Sequence, residues 1–86
     1  MLCIVYKSSR RPDTFVYVAD PDHLAKLPAA LIQGLGALVE VLRFELTPER
    51  KLAREDARRV CANLDLIGYH VQFPPPDAIH PADPTA

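Results

Sequence analysis

The stretch Leu2-Cys3-Ile4-Val5-Tyr6-Lys7 decides the fold, because it is a nearly continuous apolar run rich in strand-forming residues. A run without alternation of apolar and polar residues is typical of a strand that is covered on both faces. We therefore expect this strand at the centre of its sheet, with helices packed on both sides.

The residues that follow this run predict a hairpin and then two short helices. Ser8 to Asp13 is polar and contains a proline, which indicates a loop, and Thr14 to Ala19 is again dense in strand formers. The shortness of the loop favours antiparallel pairing of these two strands. Asp20-Pro21 then predicts a helix over 21–26, and a second helix is expected from Pro28 through Gln33, ended by Gly34 or Gly36.

The second half of the chain predicts a strand, a helix and a last strand. Residues 38–46 end in alternation, and Thr47-Pro48-Glu49 has the composition of a helix start. Apolar residues then recur at helical spacing up to Gly68, namely Ala57, Val60, Cys61, Leu64 and Ile67. Residues 69–73 alternate as a strand that Pro74-Pro75-Pro76 stops, and residues 77–86 are expected to be a disordered tail.

The order of elements is therefore β-β-α-α-β-α-β, in one domain over residues 1–76. This order predicts an α/β (α+β) fold with helices on both sides of a small, mixed, four-stranded sheet.

Composition excludes several classes of protein. The 86 residues carry a net charge of −1, which argues against binding of nucleic acid or membrane by bulk charge. No apolar run approaches the length of a membrane span, and the N-terminus lacks the features of a signal peptide, so we expect a cytoplasmic protein. Cys3 and Cys61 are interpreted as reduced, buried, small hydrophobic residues.

No motif in the sequence indicates catalysis, a metal or a cofactor. His23, His70 and His80 stand singly and are interpreted as surface histidines, since none has ligand spacing to a second candidate. Glu55 is expected to pair with Arg58 or Arg59 along a helix, and Asp56 to stabilise the start of that helix. An enzyme would require a site assembled from residues distant in sequence.

The strongest candidate binding surface is basic. Ser8, Ser9, Arg10 and Arg11 place two hydroxyl groups beside two guanidinium groups on a loop, a combination suited to phosphate or carboxylate. Lys51, Arg54 and Arg58 add basic groups around the predicted helix. The alternative is an ordinary solvated surface, because acidic residues are interleaved with these bases.

The series of motifs resembles one known family. The chain closely resembles the YcgL family of small bacterial proteins over four segments: residues 3–11, residues 14–18, Lys51-Leu52-Ala53 with Asp56, and residues 68–76. The resemblance implies an α/β/α sandwich and no established reaction. It also suggests a link to RNA metabolism, because the family's gene lies beside that for ribonuclease D in many bacteria. Leu35-Gly36-Ala37 and His70 depart from the family pattern.

These observations favour a non-enzymatic binding or regulatory module whose basic loop and helix face engage RNA or a protein of RNA processing. The alternatives are a protein–protein adaptor that uses an exposed sheet edge or the Pro74–Pro76 segment, and an enzyme with a composite site.

Overall fold

The computed structural model describes residues 1–52 and 55–73 of the chain. It contains four strands and two α-helices, with a short 3₁₀ helix at Pro21–Lys26: β1 (Leu2–Ser8), β2 (Phe15–Val18), α1 (Ala29–Leu35), β3 (Leu38–Glu45), α2 (Ala57–Leu66) and β4 (Tyr69–Gln72). The predicted tail over residues 77–86 lies outside the described residues, as does Pro74–Pro76.

The strands form one sheet in the order β3-β1-β2-β4, so β1 lies inside the sheet as its apolar run predicts. The α/β fold class is confirmed, but the sheet is not mixed: all three strand pairs are antiparallel. The connection from β2 to β3 contains the 3₁₀ helix and α1, and it is long enough for β3 to run either parallel or antiparallel to its neighbour in the sheet. Element order alone therefore did not determine the direction of β3.

One face of the sheet is covered by the 3₁₀ helix and α1. Its core contains Ile4, Val16 and Val18 from the two central strands, packed against Leu27 and Leu35. Gly36 follows α1 with a positive φ of 71°, a conformation that favours glycine, and the helix ends there as expected. We call this side the α1 face.

The other face, called the α2 face, is covered by α2. Alternate residues of the same strands, Cys3, Val5 and Tyr17, pack there against Val60 and Leu64 of the helix. Helices thus cover both faces of the sheet, as an α/β/α sandwich requires.

The expected helix start at Thr47-Pro48-Glu49 is wrong. These residues form a turn in which the Arg50 amide donates to the Thr47 carbonyl at 3.0 Å, and α2 begins only at Ala57. Leu46 is almost fully buried, and the Arg50 guanidinium lies 4.5 Å from the centre of the Phe44 ring, so both hold the chain against the sheet. The helix cap is Asp56, whose carboxylate accepts from the Arg58 amide at 2.9 Å.

Among the described residues, no helix is long and apolar enough to span a bilayer.

Candidate functional site

The predicted binding loop at Ser8–Arg11 is tied to the end of α1. Ser8 is buried, and its hydroxyl donates to the Leu35 carbonyl at 2.6 Å while accepting from the Arg11 amide at 3.0 Å. The Ser9 amide donates to the Ala37 carbonyl at 3.0 Å. The Ser8 hydroxyl is therefore already used by the end of the helix and by the loop backbone, and its contact with a ligand stays a prediction.

The two arginines of this loop are exposed beside the carboxyl end of α1. Arg10 donates through Nη1 to the Gln33 carbonyl at 3.4 Å, and through its amide to the Leu35 carbonyl at 3.3 Å. Cations near the last turn of a helix offset its negative end. The arrangement gives this part of the candidate surface a structural role on the α1 face.

The remaining basic candidates lie elsewhere. Lys51 is exposed on the α2 face, and Arg58 is exposed in the first turn of α2. Arg54 lies outside the described residues. The structure therefore does not bring the loop arginines and Lys51 together, because they lie on opposite faces of the sheet.

An open cleft of about 410 Å³ lies on the α2 face, where α2 leaves part of the sheet uncovered. Its floor is formed by apolar and aromatic side chains of the three strands β1, β2 and β3: Val5, Phe15, Tyr17, Val41, Leu42 and Phe44. Leu52 and Gln72 also contribute to the lining. A volume of this size lies within the range of small-molecule sites, roughly 300–1,000 Å³.

Charged side chains occupy the margin of the cleft. Arg50 and Lys51 supply two positive charges, and Asp13 is the one acidic residue in its described lining. Arg50 lies over the Phe44 ring and donates through Nη1 to the Glu45 carbonyl at 3.5 Å. Both residues are exposed, so their charges face solvent at the mouth of an apolar floor. This combination suits a ligand with a flat apolar part and an anionic part.

A buried polar network lies beside the cleft, under α2. His70 is 7% exposed, and its Nδ1 is 2.8 Å from the Nδ2 of Asn63 on α2. Because an amide nitrogen only donates, Nδ1 accepts, and the ring proton lies on Nε2, which donates to the Glu55 carboxylate. Both ring nitrogens of His70 are therefore occupied.

A second hydrogen bond connects this network to the floor of the cleft. The Tyr17 hydroxyl donates to Gln72 Oε1 at 2.6 Å, and the Tyr17 ring packs edge-on against His70 with centroids 5.7 Å apart. Burial, with the nearby Glu55 charge as a smaller cause, raises the pKa of Tyr17 to about 12. Tyr17 is thus a fixed, neutral part of the floor.

The interpretation of His70 as a surface histidine is wrong, and so is the expected pairing of Glu55 along its helix. His70 does lie opposite Tyr69 and Val71 on its strand, but α2 covers that side. Glu55 pairs with His70, fifteen positions further along the chain, instead of Arg58 or Arg59. Because helices were expected on both faces of the sheet, the polar side of β4 could already have been assigned to a buried layer.

The other expectations on titratable residues have mixed outcomes. His23 is half-buried, and His80 lies outside the described residues. Cys3 is fully buried and Cys61 half-buried, both as free thiols, and burial raises the pKa of Cys3 to about 11. Within residues 1–52 and 55–73, no group of three or more His, Cys, Asp and Glu side chains is placed to hold a metal ion.

Comparisons with known proteins agree on one family. A model of the YcgL domain matches residues 3–75. A YcgL domain-containing protein of Thioalkalivibrio sulfidiphilus is 49% identical over 75 residues, which are 87% of this chain and 93% of that protein. A YcgL domain-containing protein of Pseudomonas entomophila is 46% identical over 76 residues, or 88% of this chain and 78% of its own length.

Proposed function

The chain belongs to the YcgL domain family, and we propose that it is a non-enzymatic binding module that takes single-stranded RNA in the cleft of the α2 face. The observation that carries this proposal is the aromatic floor of the cleft with Arg50 and Lys51 at its margin. We place this activity in the cytoplasm.

The chemistry of the cleft matches that of an unpaired nucleotide. Proteins bind single strands by stacking bases on aromatic side chains and by placing cations along the phosphates. Here Phe15 and Phe44 supply aromatic surface, while Arg50 and Lys51 lie where a phosphate beside that base could be neutralised. The Arg50 guanidinium lies over the Phe44 ring, so on that side a base would stack on the guanidinium plane instead of on Phe44 itself.

The small number of cations sets the character of this binding. Two positive charges at a single cleft, in a chain of net charge −1, support contact with a few nucleotides and do not support coating of a long strand. A link to RNA metabolism, which the resemblance to the family suggests, is consistent with such a short site.

Two observations support a binding module over an enzyme. A general base must reach the proton that it abstracts, whereas His70 is buried and both its ring nitrogens are hydrogen-bonded inside the protein. Ser8 and His70, the residues that a composite site would combine, lie on opposite faces of the sheet. Within the described part of the chain, the two residues that a composite site would combine are therefore not brought together.

Titration of a fluorescein-labelled, single-stranded RNA of mixed sequence tests the proposal. We expect Lys51→Glu to weaken binding by tenfold or more, since it replaces an attraction at the cleft margin with a repulsion. Arg59→Glu is the matched control, because Arg59 is exposed on α2 and does not line the cleft. Arg10→Glu tests the loop on the α1 face.

The salt dependence gives a second readout. For a single strand, the logarithm of the binding constant falls by about 0.7 for each phosphate contact when the salt concentration rises tenfold. Lys51→Ala should remove about one phosphate contact, so it should make this slope shallower by about 0.7. Wild-type protein that fails to bind RNA, or binding lost in Arg10→Glu and kept in Lys51→Glu, would contradict the cleft as the RNA site.

A protein–protein adaptor is the second candidate. It is favoured by one observation, the large apolar side chains that β3 exposes along an edge of the sheet.

A further inference from the structure

Strand β3 is an edge strand with an unusual amount of exposed apolar surface. It is eight residues long, and among residues 1–52 and 55–73 it pairs with β1 on one side only. Val39, Val41 and Leu42 are 58%, 50% and 52% exposed. An exposed edge of this length is a template for a further strand unless charges or irregularities block it.

The irregularity in β3 is a β-bulge at Val41. Val5 of β1 lies opposite Leu42 and the next residue, Tyr6, lies opposite Glu40, so Val41 is the extra residue. A regular strand added to the outer edge would lack a matching extra residue and would lose register on one side of the bulge. A strand with the same bulge at the same place would keep register on both sides.

We propose that the occupant of this edge is a second copy of the chain, whose β3 pairs antiparallel with the first about a twofold axis between Val41 and Leu42. In this arrangement the two bulges face each other at the axis. Glu40 lies opposite Arg43 of the second copy, and Val39 lies opposite its Phe44.

The charges of β3 are complementary in this register. Glu40 and Arg43 lie on the same face of the sheet, because their partners on β1, Tyr6 and Ile4, both belong to the core of the α1 face. Within one copy they form an exposed ion pair at 2.9 Å. Across the axis each carboxylate meets a guanidinium of the other copy, twice by symmetry, and opposite charges on facing strands stabilise the pairing.

The apolar residues are also complementary. Val41 and Leu42 both line the cleft on the α2 face, so at the axis the apolar side chains of one copy meet those of the other. Twofold pairing uses the same edge on both copies and leaves no free β3, so assembly through this edge stops at a dimer. The two sheets join into one, and the two clefts lie side by side across the axis.

Charge reversal with measurement of mass in solution tests this dimer without any ligand. We expect wild-type protein to show a concentration-dependent dimer in sedimentation equilibrium. Glu40→Arg and Arg43→Glu should each raise the dissociation constant at least tenfold, because each variant places two pairs of like charges across the axis. Asp65→Arg and Arg59→Glu are the matched controls, with the same charge changes at exposed positions of α2.

Mixing the two β3 variants identifies the register. At positions 40 and 43 the Glu40→Arg chain carries two positive charges, and the Arg43→Glu chain carries two negative charges. An equimolar mixture should therefore restore a dimer that neither variant forms alone, and one affinity-tagged chain should retain the other. Circular dichroism of each variant checks that the fold is retained.

Three results would overturn the proposal. The first is a wild-type protein that stays monomeric at the highest soluble concentration, which would leave the edge to a different partner. The second is a dimer that the two charge reversals leave intact, which would place the interface elsewhere. The third is a mixture of the two variants that does not associate.

Discussion

The two faces of the sheet are built from the same strands but differ in how completely they are covered. On the α1 face, Ile4, Val16, Val18 and Leu35 are fully buried, and the core there consists of apolar side chains and Tyr6. On the α2 face, polar side chains of β4 lie under the helix, and a cleft of about 410 Å³ stays open above β1, β2 and β3.

This difference separates stability from function. The core of the α1 face consists of apolar side chains and Tyr6 packed between the strands and the helices, so the sequence of this core is explained by packing. The α2 face buries hydrogen-bonded polar groups and leaves aromatic surface next to two cations, an arrangement that packing alone does not require.

Truncation of a core residue on the α1 face should give the largest effect. Leu35 is fully buried, so Leu35→Ala should lower the free energy of unfolding by about 3 kcal/mol through lost contacts and a cavity. Leu42→Ala, at a residue 52% exposed on the cleft side, should cost under about 1 kcal/mol. Urea denaturation of both variants measures this contrast, and equal losses would contradict the division.

The two glycines near the end of α1 should respond in opposite directions to alanine. At Gly36, with φ 71°, a new Cβ would lie 2.7 Å from both Arg10 Cγ and Ser9 Oγ, so Gly36→Ala should cost about 1–2 kcal/mol. At Gly34 the nearest atom, Arg11 Nε, is 3.8 Å away, and Gly34→Ala should stabilise the helix by about 0.5 kcal/mol. A melting temperature that is lower for Gly34→Ala than for Gly36→Ala would contradict the described packing of the Ser9–Arg10 side chains against Gly36.

Weakening the polar network should have a smaller effect that is specific to the α2 face. Glu55→Gln keeps the size of the side chain but removes the charge that accepts from His70 Nε2, at a cost of about 1 kcal/mol. Asp65→Asn makes the same change at an exposed position of α2 and should be neutral. Guanidinium denaturation distinguishes the two, and a neutral Glu55→Gln would show that the pairing contributes nothing to stability.

Alkaline pH should destabilise the protein through two residues of the α2 face. Burial raises the pKa of Cys3 from 9.0 to about 11 and that of Tyr17 from 10.0 to about 12. Because the folded pKa exceeds the unfolded one, the stabilisation is complete below the unfolded pKa and is lost as pH rises towards the folded pKa. Denaturation midpoints should therefore fall progressively from about pH 9 upwards.

Cys3→Ala is the control for this pH dependence. It removes the thiol, so the decline should begin about one pH unit higher, where Tyr17 starts to ionise in the unfolded chain. If the denaturation midpoint of the wild-type protein stays constant between pH 9 and 11, the raised pKa values of Cys3 and Tyr17 and the burial that causes them are contradicted.

The sequence was informative where a local pattern has a single structural consequence. The nearly continuous apolar run at residues 2–7 indicated a strand inside a sheet covered on both faces, and α1 ended at one of the two expected glycines. The direction of β3 and the turn at Thr47 depend on long-range packing, which local propensity does not encode.

The candidate site was less predictable for a physical reason. Alternation places His70 and Gln72 on the same side of β4, but it does not show what covers that side. The Glu55–His70 pair joins residues without regular spacing, and the cleft combines three strands with the Arg50–Leu52 segment. Of the singled-out basic residues that the structure describes, Lys51 alone lines the cleft. Hydroxyl and guanidinium groups on a loop can equally well close the end of a helix, as Ser8 does here.

Mapping of RNA contacts by NMR is the most direct test of the central claim, that the open part of the α2 face is the binding site. Uniformly ¹⁵N-labelled protein would be titrated with a short single-stranded RNA while amide shifts are followed. The account predicts that shift changes concentrate at Phe15, Phe44 and the Arg50–Leu52 segment, and that the amides of Arg10 and Arg11 stay unchanged. Shifts confined to the Ser8–Arg11 loop, or no shifts at all, would contradict it.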